Sequence, residues 1–214
     1  MKYHKLVENA KKPNGFWGKM MIKAMNKGHS SLTTWGLEHM NIERTATVLD
    51  IGCGGGKTVD RLCSIVANGK VYGIDYSELS VKSSEKLNSK NILCNKAKIL
   101  QASVSDMPFD DNTFDNITAV ETYYFWPDKE NDVKEVFRVL KQGGTVMLLF
   151  EMLRTDDDPF KWEKVENMLN IKSVTPQEIR AVLESAGFEN INTYTKEGTT
   201  WLCATAQKPK DDEN

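Results

Sequence analysis

The sequence predicts one α/β domain built on a mostly parallel sheet in which one strand runs backwards. Three observations predict it. Between residues 46 and 150 short apolar β-runs alternate with stretches of helical periodicity, which is the pattern of βαβ units. The first run, Val48-Leu49-Asp50-Ile51, passes directly into a loop with glycines at 52, 54, 55 and 56. Near the end, β-rich runs at 188–195 and 199–207 are separated only by Lys196-Glu197-Gly198. A parallel neighbour needs a crossover of about a dozen residues or more, so these two strands must be antiparallel.

Taken in order, residues 14–37 read as two short helices broken at Gly28, with an apolar face rich in Met and Trp. Strands are expected at 46–51, 70–74, 98–102, 114–120 and 144–150. Helices fall between them near 57–67, 78–89 and 129–140, the last with Val133, Val136, Phe137 and Leu140 at helical spacing. Gly143-Gly144 reads as the turn that ends this helix before the fifth strand. Thr175-Pro176-Gln177-Glu178 has the pattern of a capping box and starts a helix running to about Gly187. The division expected is a helical extension over 1–43, the main domain over 44–207 and a flexible tail over 208–214.

Composition narrows the function. The 214 residues suit one domain with a substantial core, and no repeat or low-complexity insert interrupts them. Lys plus Arg number 28 against 30 Asp plus Glu, so the formal charge of −2 offers no broad basic surface to nucleic acid. The start, Met1-Lys2-Tyr3-His4-Lys5, lacks an apolar signal segment, and no run approaches the roughly 20 apolar residues of a membrane span. A cytoplasmic protein without a membrane partner is expected. Cys53, Cys63, Cys94 and Cys203 are scattered without a CxxC pair, which suits reduced thiols and implies no metal.

The glycine loop and the carboxylate that ends Val71-Tyr72-Gly73-Ile74-Asp75 together indicate a nucleoside site. Glycine lets the backbone turn tightly and approach a ligand. In an open α/β sheet both strand ends lie on the ligand-binding edge, so Asp75 can accept hydrogen bonds from two ribose hydroxyls. Three templates compete for the glycines. The phosphate-loop pattern GxxxxGK[ST] fits Gly56-Lys57-Thr58, but its first glycine falls on Ile51. The dinucleotide pattern GxGxxG fits Gly52 and Gly54, but its third glycine falls on Lys57. A carboxylate at position 50 would also oppose a pyrophosphate.

The third template fits at each specified position. Val48-Leu49-Asp50-Ile51-Gly52-Cys53-Gly54-Gly55-Gly56 resembles the [VIL]-[LV]-D-x-G-x-G-x-G loop of class I S-adenosylmethionine-dependent methyltransferases. The resemblance covers residues 44–150 and more loosely extends to 207. It implies a Rossmann-like, doubly wound, seven-stranded sheet in a three-layer α/β/α sandwich, with the last strand antiparallel and inserted beside the sixth. It also implies S-adenosylmethionine as cofactor, S-adenosylhomocysteine as product and a small-molecule acceptor, in a monomer or homodimer. An acid at Asp50 suits a donor that carries an ammonium and a sulfonium but no phosphate.

The same resemblance suggests Asp50, Gly52, Cys53, Gly54, Asp75, Tyr76, Ser103, Val104 and Glu121 as cofactor contacts. Ser103 stands where many relatives have an adenine-binding Asp, and its hydroxyl accepts more weakly than a carboxylate. The loop after the fourth strand lacks the [DN]-P-P-[YF] motif of base and amide amino methyltransferases. In the fold it opens beside the sulfonium, so Tyr124 and Trp126 are candidate substrate contacts and Tyr123 a candidate catalytic group. These aromatics fit a pocket wall and the packed start of a helix equally well. The N-terminal helices fit either a lid, with Trp17 and Trp35 toward the substrate, or a core or dimer-packing pair. His29 is the candidate base in that segment, whose neutral form could take a proton from an acceptor, although a lone histidine is more often a surface or capping residue. An NAD-dependent oxidoreductase and a noncatalytic nucleoside-binding module of the same fold remain as alternatives.

Overall fold

The computed structural model describes residue 13 and residues 15–210. Helices α1 (Gly15–Gly28) and α2 (Ser30–Leu37) precede β1 (Thr47–Ile51), α3 (Lys57–Ile65), β2 (Lys70–Asp75), α4 (Glu78–Leu87), α5 (Ser89–Leu93) and β3 (Ala97–Gln101). Then follow β4 (Phe114–Val120), a 3₁₀ turn (Tyr123–Phe125), α6 (Lys129–Val139) and β5 (Leu140–Phe150). The chain continues through α7 (Glu163–Leu169), α8 (Pro176–Ser185), β6 (Glu189–Thr195) and β7 (Leu202–Gln207).

The strands form one seven-stranded sheet in the order β3-β2-β1-β4-β5-β7-β6. Pairings from β3 through β5 are parallel, whereas β7 lies antiparallel between β5 and β6. The reversed strand expected from the short terminal link is therefore present, and it sits beside the sixth strand. Side chains alternate across the sheet. On β5, Val146, Leu148 and Phe150 join the larger core cluster, with Val133 and Val136 of α6 and Ile179 and Leu183 of α8. Met147 and Leu149 face the other way and pack against Leu32 of α2. Val48 and Val71 meet Val59 and Leu62 of α3. Two helical layers thus enclose the sheet.

Several local expectations need correcting. Helix α6 ends at Val139, and Gly143-Gly144 lies inside β5. Gly143, at φ 72°, bends that strand where its pairing with β4 shifts between Phe114 and Asn116. Strand β7 begins at Leu202, not at 199, because Thr199 closes a turn by donating from Oγ1 to the Lys196 carbonyl. Helices α5 and α7 were not expected. The capping box at Thr175 and Glu178 is present on both sides. Lys208, placed by sequence in the tail, is nearly buried; its Nζ donates to the Phe137 carbonyl at 2.8 Å and to Asn112 at 2.9 Å. Residues 211–214 of that tail lie outside the described residues, as do 1–12 and 14 of the N-terminal extension. No helix among the described residues is long and apolar enough to cross a membrane.

Candidate functional site

The strand order reverses between β1 and β4, and in an open α/β sheet a ligand crevice opens at such a switch, beyond the carboxyl ends of the strands. A cleft of about 900 Å³, counted out to its open mouth, lies there. Its floor is the loop from Gly52 to Gly55 with Asp50, and Asp75 and Tyr76 form one side. The opposite side is Val120, Glu121, Thr122 and Phe125. Ile22, His29, Ser30 and Thr33 of the N-terminal segment close over it.

The loop geometry depends on glycine at two positions. Gly52 has φ 68°, and a Cβ there would stand 2.2 Å from Oγ1 of Thr122. Gly54 has φ 52°, and its Cβ would meet nothing nearer than the Gly52 carbonyl at 4.0 Å. A side chain at Gly54 would therefore occupy open cleft. That is the cradle a nucleoside needs, bare backbone presented to the ligand.

Asp75 is fixed by two amides. Its Oδ2 accepts from the Gly54 N–H at 2.9 Å and its Oδ1 from the Ser77 N–H at 2.8 Å. Burial raises its pKa above the ordinary carboxylate range, and these two bonds oppose the rise. Asp50 is more deeply buried and accepts from Thr118 Oγ1 at 2.7 Å. Burial pushes its carboxyl up to about 7, against the Thr118 bond and with a further push from the charge of Asp75. Cys53 lines the loop, but its thiol is buried against the α3 core, 3.8 Å from Ser84 Oγ. Burial raises that thiol's pKa well above its usual range, and the charges of Asp50 and Asp75 add to the rise. Tyr76, 41% exposed, borders the cleft mouth.

Glu121 follows β4 with φ 57°, a conformation few side chains adopt. Its Oε1 accepts from the Glu151 N–H and, at 3.4 Å, from the Tyr124 hydroxyl. Burial pushes Glu121 up to about 8, against the Glu151 amide bond and helped by the Glu151 charge. His29 Nε2 lies 3.8 Å from Glu151 Oε2. Burial lowers the imidazole pKa, and Glu151 partly offsets this.

The sequence candidates therefore divide. Asp50, Gly52, Cys53, Gly54, Asp75, Tyr76, Glu121 and His29 come together around one cleft. The aromatic turn does otherwise. Tyr123 packs on Trp126 and Phe150 at centroid distances of 5.2 and 5.7 Å, and Trp126 is buried. Tyr124 donates toward Glu121 and accepts the Met152 amide at 3.0 Å. These three are core residues at the start of α6, and Phe125 alone of the turn lines the cleft. Trp35 packs against His39 and Trp201, at 5.0 and 5.9 Å, behind the sheet end. Trp17 is 53% exposed and outside the cleft lining. Ser103 and Val104 follow β3 beyond the lining residues; Ser103 Oγ accepts the Ser105 amide at 3.2 Å and Val104 joins the large core cluster.

The sequence reading missed Thr122, Arg61 and Glu151. Thr122 sits against Gly52, and a polar residue one place after Glu121 gave no motif. Arg61 donates from two guanidinium nitrogens to the carbonyl and hydroxyl of Ser30, both at 3.0 Å, and so ties α3 to the helical cover. Lys57, the residue that breaks the dinucleotide pattern, opens α3 and pairs with Asp60.

Comparison with known proteins points to one family. A family profile described as "Methyltransferase domain" matches residues 49–148. The chain is 27% identical to the uncharacterized methyltransferase YdaC of Bacillus subtilis, over 85% of this chain and 93% of that protein. It is 31% identical to the ubiquinone/menaquinone biosynthesis C-methyltransferase UbiE of Cronobacter sakazakii, with 73% of this chain and 72% of that protein covered. In fold it is similar to a chain from the complex of the Haloferax volcanii Trm112 methyltransferase activator with a methyltransferase. The TM-score there is 0.76 at 20% identity, over 90% of this chain and 95% of that one.

Proposed function

The chain belongs to the class I S-adenosylmethionine-dependent methyltransferases, and on that premise we propose that it methylates a small-molecule acceptor in the cleft between the glycine loop and α2. The observation that carries this reading is the joint placement of Gly54 and Asp75 at the sheet's switch point. When bound, S-adenosylmethionine supplies a methyl group activated by its sulfonium, and S-adenosylhomocysteine is left.

The chain's own residues bind and align. Each Asp75 oxygen takes one backbone amide and keeps a lone pair for a ribose hydroxyl. The bare backbone at Gly52 and Gly54 packs against the rest of the nucleoside. Asp50, beneath the loop, keeps its proton up to about pH 7 and becomes an anionic partner when a cationic donor beside it lowers that value. Ile22 and Phe125 exclude water from the cleft, while His29 and Glu121 face the acceptor. Alignment of this kind accounts for roughly 7–11 kcal/mol of a displacement barrier, so strong proton transfer is not required. A small-molecule acceptor is supported by the UbiE relative, named for C-methylation in quinone biosynthesis. Four free cysteines, three of them buried, support a reducing, cytoplasmic setting.

The test is turnover. Purified protein, S-adenosylmethionine carrying a labelled methyl and a panel of small acceptors should yield S-adenosylhomocysteine in step with a labelled product. Tight binding of S-adenosylhomocysteine with no labelled product from any acceptor would favour a noncatalytic module.

A further inference from the structure

His29 and Glu121 line the cleft, and with Glu151 beside them they form a cluster that cofactor binding does not fully account for. His29 comes from the turn between α1 and α2, Glu121 from the tip of β4, and Glu151 from the residue after β5. One ligand-type atom from each lies within 4.8 Å of the others. His29 makes no side-chain cap to α2, so its imidazole is not spent on the helix end. At 3.8 Å its Nε2 is too far from Glu151 Oε2 for a hydrogen bond. It is the spacing of two atoms that share a third partner about 2.1 Å from each.

Charge balance points the same way. Glu121 is half-buried, and one of its oxygens is satisfied by the Glu151 amide and the Tyr124 hydroxyl. The other accepts no hydrogen bond from any described residue. No lysine or arginine among the described residues pairs with Glu121 or Glu151. Glu121, half-buried on the cleft wall, and Glu151, half-exposed beside it, face each other without a cationic side chain, and their repulsion is relieved when a proton or a cation joins them.

We propose that His29, Glu121 and Glu151 form a binding site for one divalent transition-metal ion on the acceptor side of the cleft. One imidazole and two carboxylates are a donor set suited to Zn²⁺, Mn²⁺ or Co²⁺. Three protein ligands leave coordination positions open toward the cleft. The inference rests on the methyltransferase reading only for its consequence, which is the acceptor class: a molecule with an ionisable oxygen, such as a phenol or an enol. A cation there makes loss of the acceptor's O–H proton to water easier. The electron pair so freed forms the bond to the methyl carbon, and the carbon–sulfur bond breaks with its pair staying on sulfur.

The experiment titrates chelator-treated, desalted protein with Co²⁺, followed by visible absorption, and with Zn²⁺ in competition with a chromophoric chelator. One equivalent should bind. His29→Ala and Glu151→Gln should each weaken binding at least tenfold, with the melting temperature in EDTA unchanged. Absence of stoichiometric binding overturns the proposal. So does equal binding by both variants, which would place the metal elsewhere, for instance on Asp156, Asp157 and Asp158. S-adenosylhomocysteine affinity is measured on the same samples in EDTA. Its loss would count against the methyltransferase reading and leave the metal result standing.

Discussion

The Gly54 amide donates to Asp75 Oδ2 at 2.9 Å, so the loop after β1 and the tip of β2 are held as one unit. Each positions the other. The backbone conformation that only glycine adopts freely at 54 is what aims the N–H at the carboxylate.

Gly54→Ala should separate binding from stability. The added methyl meets no neighbour but forces a left-handed backbone, at a cost of roughly 1–2 kcal/mol. It also fills the cradle. S-adenosylhomocysteine affinity by calorimetry should fall at least tenfold, while urea unfolding shows only that modest loss. Gly52→Ala should destabilise more, since its Cβ would stand 2.2 Å from Thr122 Oγ1.

Asp50 gives a pH dependence whose sign follows from burial. Its folded pKa of about 7 lies above the ordinary value near 4, so the folded state keeps a proton that the unfolded chain has lost. Stability should fall as pH rises from about 4 to about 7 and then level off. In Asp50→Asn the decline should be shallower by up to ~1.4 kcal/mol per pH unit, read from denaturant midpoints across that range. An unchanged slope would mean that Asp50 is ionised in the folded protein.

Arg61 holds the cover. Two hydrogen bonds to Ser30 should contribute roughly 1–3 kcal/mol to keeping α2 docked. In Arg61→Ala, amide hydrogen exchange should accelerate across 29–37 and stay unchanged in β4 and β5. Uniform acceleration would show a global effect instead.

Ser103→Asp tests the adenine end. An aspartate keeps the acceptor that now takes the Ser105 amide and adds a charge-assisted one for an amino group. S-adenosylhomocysteine should bind equally or more tightly, and a large loss of affinity would put the adenine elsewhere.

The parts of the fold legible in sequence were those set by local rules. Alternation gave the strands, the short link before β7 gave its reversal, and Thr175 with Glu178 gave the start of α8. Gly143-Gly144 misled because glycine also serves inside a bulged strand, and the pattern alone does not say which. The cofactor side of the site was legible because Gly52, Gly54 and Asp75 form one spaced motif. The acceptor side was not. Glu151 reaches Glu121 only through the parallel register of β4 and β5. The turn aromatics Tyr123 and Trp126 have the same composition whether they face ligand or core, and here they face core. Trp35 is similar, and its partner Trp201 is distant in sequence.

The central claim is that Asp75 and the glycine loop hold the ribose of the methyl donor. Calorimetric titration of S-adenosylhomocysteine into wild type and Asp75→Ala tests it most directly, with circular dichroism to establish that both are folded. The expected result is one-to-one binding by the wild type and a loss of affinity of a hundredfold or more in the folded variant. Equal affinity in the two proteins would contradict the assignment.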